Sequence, residues 1–282
     1  MKAQVTLTVP EAKALIAEGI AQLPEVEQAL RAGRVLLKGG TTVAAVANRL
    51  VGCDLRISGR ISPRGAKASK GDSVLPHSIL IEKGSVKNID GCFGQTVESL
   101  RRDDVAIIGA NALDSHGRTA ILLGRPLGGT PGQGLAGLMA QGCRVIIACG
   151  LEKLIPGSIA DAIAAAGIYS SDWSMGMSAG LAPLAGAVIT EQKALELLTE
   201  VKCTAIGAGG IAGAEGATTL VIEGQPEPVT QAVKAVLEVK GAAHAGCPVS
   251  LEECRAGSPA CGVHQSCAWR MEKGESLTWR LR

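Results

Sequence analysis

Apolar residues recur at helical spacing in some stretches of this chain and crowd into short runs in others. Pro10–Leu23 carries Ala14, Leu15, Ile16 and Ile20 on one face and predicts a helix; Val26–Ala32 predicts a second, shorter one. Arg34–Leu37 reads as a strand. Lys38-Gly39-Gly40-Thr41-Thr42 follows, and Val43, Val46 and Leu50 then restore helical spacing. Asp54–Ile61 and Ser78–Lys83 read as strands separated by a basic, glycine-containing loop, and Gln95–Arg102 as a helix. Val105, Ala106, Ile107 and Ile108 make Asp104–Gly109 the clearest buried strand, with charge before it and glycine after it. Thr119–Leu123 reads as a strand, Thr130–Gln141 as a helix and Arg144–Cys149 as another buried strand. Ser158–Ala166 reads as a helix with Ser158 at its N-cap.

Strands alternating with helices predict an α/β fold, a mainly parallel sheet covered by helices. From Ala187 the rhythm changes to β-α-β-β-α: Ala187–Ile189, Glu191–Glu200 capped by Thr190, Cys203–Ala208, Thr218–Glu223 and Glu227–Val239. This order predicts a smaller α+β lobe resembling half a ferredoxin-like fold. The expected organisation is a ligand-binding α/β domain over 1–182, the α+β lobe over 183–240 and a cysteine-rich tail over 241–282.

Composition sharpens this picture. Hydrophobic residues make up 46% of the 282 positions, which argues against general disorder. Phe93 and Tyr169 are the only residues of their kinds, so the core is aliphatic, as a helix-covered parallel sheet requires. The balance of 28 basic and 26 acidic residues leaves no electrostatic footprint for nucleic acid. Arg56, Arg60, Arg64, Lys67 and Lys70 form one local basic cluster, either a solvated loop or an anion site. Met1–Pro10 lacks the features of a signal peptide, and no apolar run is long enough to span a bilayer. A cytoplasmic protein is expected, homo-oligomeric, with neither nucleic acid nor membrane as partner.

The chemistry concentrates in three glycine-rich turns. Glycine lets a backbone approach a ligand closely, and amides at a helix start can point at an anion. Gly39, Gly40, Thr41 and Thr42 offer such amides and two hydroxyls, and Lys38 adds a charge. Gly109-Ala110-Asn111 follows a buried strand, where open α/β sheets bind ligands. Asp114, just beyond, is either a general base or an Asx-turn residue. Arg125, Gly128, Gly129, Thr130 and Gln133 lie in the third turn, a lid or an anion cradle. Glu152 and Lys153 follow the strand Arg144–Cys149, and either face the crevice or form the exposed first turn of a helix.

The Lys38–Val43 run with its following helix, together with the strand ending in Gly109-Ala110-Asn111, resembles the ribose-phosphate isomerase/glucosamine-phosphate deaminase/CoA-transferase superfamily. The resemblance covers about half the chain, Val26–Gly150. It implies that Gly39–Thr42 hold a phosphate or similar anion. The position that is often a catalytic Asp in the family falls on Asn111, and an amide cannot act as a general base. Either Asp114 substitutes, or the site binds without isomerising. The family's CoA-transferases use a nucleophilic Glu.

Cys247, Cys254, Cys261 and Cys267 suit zinc or an iron–sulfur cluster, although they form no C-x₂-C pair; unpaired or disulfide-bonded cysteines are the other reading. Trp173, Met175 and Met177 either shape a lid or pack the linker between lobes. His77 reads as a strand-end residue and Gly207–Gly216 as a connection between two strands. Three function classes emerge. The first is an isomerase or transferase acting on a phosphorylated or CoA-linked small molecule, with Asp114 and Glu152 as candidate catalytic residues. The second is a non-catalytic ligand-binding or regulatory protein whose cysteine tail senses metal or redox state. The third is an assembly role for the α+β lobe.

Overall fold

The computed structural model describes residues 1–68, 75–251, 253 and 259–270. In chain order the elements are β1 (Lys2–Leu7), α1 (Val9–Ala21), α2 (Pro24–Ala32), β2 (Arg34–Lys38), α3 (Thr41–Val51), β3 (Gly59–Ser62), β4 (Gly65–Ala68), β5 (Ser78–Glu82), β6 (Ser85–Asn88), α4 (Phe93–Ser99) and β7 (Val105–Gly109). There follow β8 (Ala112–Leu113), β9 (Thr119–Leu123), α5 (Gly129–Gln141), β10 (Arg144–Ala148), α6 (Ile159–Ala165), β11 (Gly180–Leu184), β12 (Ala187–Ile189), α7 (Glu191–Thr199), β13 (Lys202–Gly209), β14 (Ala217–Glu223) and α8 (Pro226–Glu238).

Side chains alternate between the two faces of a strand, so a strand that is apolar throughout must be covered on both sides. The central sheet meets this demand. Its order is β12-β10-β7-β2-β5-β6. The first four strands run parallel, and β5 and β6 add an antiparallel hairpin on the β2 side. The fold is therefore α/β with a mixed, mostly parallel sheet. Val35, Leu37, Ile107 and Ile146 enter one core with Leu15, Ile16 and Ile20 of α1 and Val43 and Val46 of α3. Leu36, Ala106, Ile108 and Ile147 enter the other with Phe93 and Val97 of α4 and Leu138 of α5. Each fully buried aliphatic side chain contributes about 1.5–3 kcal/mol.

At the amino ends of the parallel strands, the Arg34 guanidinium grips the Asp104 carboxylate at 2.6 Å and the Ser99 hydroxyl at 2.9 Å. Asp104 also accepts from the backbone amides of Arg34 and Arg101. This polar staple leaves the carboxyl ends of the strands for other work.

The pairing of the strands departs from the sequence expectation in several places. β12 joins the central sheet beside β10, and β14 pairs with β1 from the start of the chain, Leu7 opposite Thr218 through Lys2 opposite Glu223. β1 had no reading as a strand in the sequence. β9 lies outside the central sheet and pairs with β8 and β11. The expected strand over Asp54–Ile61 is confined to β3, which pairs with β4.

The described part of the tail lies against the rest of the chain. The Cys247 amide donates to the Leu55 carbonyl, and the Trp269 indole donates to the Arg64 carbonyl at 2.8 Å. The Arg64 guanidinium stacks over the same indole, 4.5 Å from its centre, and Lys67 pairs with Glu253. Among the described residues no helix is long and apolar enough to cross a membrane.

Candidate functional site

A cavity of about 510 Å³ lies at the carboxyl ends of β2, β7 and β10. Lys38, Gly39, Gly40, Thr41 and Thr42 form one wall, and Gly109, Ala110 and Asn111 another. Glu152 and Lys153 enter from the turn after β10, Lys13 from α1, and Ser58 and Arg60 from the β3 side. Ile61, Ala66, Ile121, Leu122 and Met177 add apolar lining; His244 and Ala245 come from the start of the tail. Two of the three glycine turns therefore meet around one space.

The first turn is built by close packing. The Gly39 amide donates to the His77 carbonyl at 2.8 Å, and a Cβ on Gly39 would stand 2.2 Å from that oxygen. His77 itself is locked in place. Its ring bonds to the Arg56 carbonyl at 2.9 Å and the Ser58 hydroxyl at 3.1 Å, and its amide donates to Asp90. Burial, with the charges of Lys38 and Arg56 nearby, pushes its pKa down to about 4, so it is neutral at physiological pH. Gly40 caps α3, and the first intrahelical bond runs from the Ala44 amide to the Gly40 carbonyl. The amides of Thr41, Thr42 and Val43 are thus the unpaired donors of a helix start, carrying its partial positive charge toward the cavity. The Thr42 hydroxyl is buried and has no partner among the described residues.

The cations around the cavity differ in how they are held. Lys13 donates to the Thr41 hydroxyl at 2.9 Å and lies 3.5 Å from Glu152. Lys153 donates to the Ala110 carbonyl at 2.8 Å and stands 4.0 Å from Glu152. Arg60 donates to the Ser250 carbonyl at 2.6 Å. Burial lowers the Lys13 pKa, and Glu152 opposes that shift. Lys38 is only 5% exposed, and burial alone pushes its pKa down to about 8.

Glu152 is the acid of the cavity. Its side chain is 13% exposed, and neither carboxylate oxygen has a hydrogen-bond donor among the described residues. The turn that carries it is fixed from behind, because the Leu151 amide donates to Glu191 at 2.9 Å. Glu191 is fully buried, and desolvation raises its pKa to about 7.

The remaining sequence candidates sit elsewhere. Asp114 is outside the cavity lining. Its carboxylate accepts from the amides of His116, Arg118 and Ile159 and from the Arg118 guanidinium. Burial opposes its ionisation, but these donors outweigh burial and hold its pKa at about 2. These bonds close an Asx turn over Asp114–Arg118, and the bond to Ile159 anchors the start of α6. Asn111 keeps its amide oxygen on the Leu122 amide at 3.0 Å.

Arg125, Gly128 and Gly129 do not line the cavity, and Thr130 lies in the first turn of α5. Gly134 and Gly137 of α5 serve helix packing. A Cβ on Gly134 would meet Phe93 at 2.2 Å, and one on Gly137 would meet Val97 at 2.7 Å. Of the tail cysteines, Cys254 lies outside the described residues, whereas Cys247, Cys261 and Cys267 are partly buried. Among the described residues no three His, Cys, Asp or Glu side chains gather as a metal site.

Lys13 was absent from the sequence reading, yet a signal existed. It shares the helical stripe of Ile16 and Ile20 and is 7% exposed, so a lysine stands where the pattern asks for an apolar residue. Of the basic cluster around 56–70, Arg60 reaches the cavity, whereas Arg56 pairs with Asp90. No family model, curated protein or solved structure matches this chain.

Proposed function

We propose that the crevice binds a phosphorylated or CoA-linked small molecule and that the protein acts on it as an isomerase or transferase. One observation carries this reading: a buried carboxylate without a hydrogen-bond donor, Glu152, shares a cavity with the amino end of α3 and with Lys13, Lys38, Arg60 and Lys153. Four cations against one carboxylate favour an anionic guest, and a low-dielectric wall strengthens that preference. The amides of Thr41 and Thr42 hold the phosphate or pyrophosphate, flanked by Lys13 and Lys153. Glu152 serves as the proton acceptor in an isomerisation, or as the nucleophile in a transfer. The superfamily resemblance of the Lys38–Val43 and Gly109–Asn111 turns supports the same reading.

Thermal denaturation across inorganic phosphate, ribose 5-phosphate, glucosamine 6-phosphate and acetyl-CoA tests it. A ligand at about 100 times its Kd stabilises by about 2.7 kcal/mol, a clear rise in Tm. Lys13→Ala weakens that rise. A flat response across the whole panel contradicts the proposal.

A second reading draws on the tail. His244 and Ala245 line the cavity just ahead of Cys247, so a metal or redox event at Cys247, Cys254, Cys261 and Cys267 would be felt by the ligand. On this reading the protein binds and senses without catalysis, with zinc or an iron–sulfur cluster in the tail. Native mass spectrometry of protein purified without oxygen separates the two: bound metal with unaltered ligand supports sensing, and recovered product removes it.

A further inference from the structure

Lys38 stands apart from the other cations of the cavity. Lys13 has Thr41 and Glu152, Lys153 has the Ala110 carbonyl, and Arg60 has the Ser250 carbonyl. Lys38 is 95% buried, yet among the described residues no hydrogen bond or ion pair holds its ammonium, and its Nζ is not one of the fully enclosed polar atoms but opens on the cavity. It ends β2, opposite Ser78 on one side and Ile108 on the other, and its remaining surface belongs to the cavity. A desolvated ammonium without a counter-charge is unfavourable, and two remedies exist: an anion can join it, or it can give up its proton. Anion binding is already provided for by the α3 amides and by Lys13 and Lys153. Loss of the proton leaves a neutral amine, a nucleophile for carbonyl carbon. A pKa near 8 makes that form accessible at physiological pH.

We propose that Lys38 forms an imine with an aldehyde or ketone carbon of the bound molecule, so that the substrate class is a phosphorylated carbonyl compound. This rests on the anion-binding reading of the crevice. The balance closes without an added reagent. The ammonium gives one proton to water, and the free Nζ pair attacks the carbonyl carbon while the C=O π pair moves to oxygen. A second nitrogen hydrogen passes to that oxygen. The proton held by water then reaches the hydroxyl, the C–O bond breaks, water leaves, and a C=N bond forms as an iminium. Ammonium plus carbonyl becomes iminium plus water, with charge conserved. The iminium withdraws electrons from the neighbouring carbon, and Glu152, the carboxylate of the same cavity, is available to take its proton.

Dihydroxyacetone phosphate and glycerol 3-phosphate differ in the carbonyl group and test the proposal as a pair. The protein is incubated with each, treated with borohydride and analysed by intact mass and peptide mapping. The expected result is one reduced adduct per chain, on Lys38, from the ketone only. Lys38→Arg and Lys38→Met lose the adduct, with the melting transition of each variant showing that it is folded. A Tm rise with both compounds but no adduct, or adducts only on exposed lysines, overturns the imine and leaves anion binding standing. No Tm rise with either compound and no adduct removes both.

Discussion

Glu152→Gln lowers turnover of a phosphorylated substrate by about 10²–10⁴-fold, the usual contribution of a positioned acid–base group. Binding of a non-reacting phosphate survives, because the α3 amides, Lys13 and Lys153 are untouched. The glutamine has the shape of the glutamate it replaces, and Lys13 keeps its bond to Thr41. The loss therefore falls on kcat and leaves Kd nearly unchanged. Asp114→Asn supplies the contrast. That carboxylate serves two amides and a guanidinium of the turn that follows it and the Ile159 amide at the start of α6, and an amide has one acceptor oxygen where the carboxylate has two. Its expected effect is a lower Tm with turnover retained by the folded fraction. Steady-state kinetics and thermal melts on the two variants decide the matter. Full activity in Glu152→Gln, or inactivity in Asp114→Asn at unaltered Tm, assigns the base wrongly.

Gly39→Ala damages fold and site together. The new methyl would stand 2.2 Å from the His77 carbonyl oxygen and 2.7 Å from its ring. Neither neighbour can retreat easily: one is backbone, and the other is an imidazole held by Arg56 and Ser58. The end of β2 must part from the His77 segment, breaking the Gly39–His77 bond, at a cost of about 1–3 kcal/mol or more. The amino end of α3 moves with it, so phosphate binding falls alongside Tm. Gly40→Ala is the control for stability. A Cβ there meets nothing within 4 Å, and the backbone φ of 172° is extended, open to any residue. Its Tm stays at the parent value while the added methyl intrudes on the ligand. Equal melts for Gly39→Ala and the parent protein contradict this packing.

The parts of the site that were legible in the sequence are those carried by local order. Lys38–Thr42 could be placed because a buried strand, a glycine pair and a helix start follow one another directly. Gly109–Asn111 could be placed because the charge-bounded run Val105–Ile108 leaves little choice about where its carboxyl end falls. The third turn shared those local signs and still does not line the cavity. The strand before it, β9, pairs with β8 and β11, and hydrophobic periodicity cannot say which sheet a strand joins. Gly134 and Gly137, in the helix that follows this turn, are explained by the closeness of α4 and α5. β1 was missed because its partner β14 is more than two hundred residues away, and an isolated alternating hexamer at a terminus carries no pairing information. Lys13 is the remaining lesson. It lies far from both turns in the chain, and its only mark was being charged on an apolar stripe.

An anion at the amino end of α3 is the central requirement of this site, and amide chemical shifts measured during titration with inorganic phosphate report on that place directly. The expected result is saturable movement of the Thr41, Thr42 and Val43 amides, with smaller shifts at Gly109–Asn111. Movement confined to Gly128 and Gly129, or saturating phosphate with no change at Thr41–Val43, contradicts it.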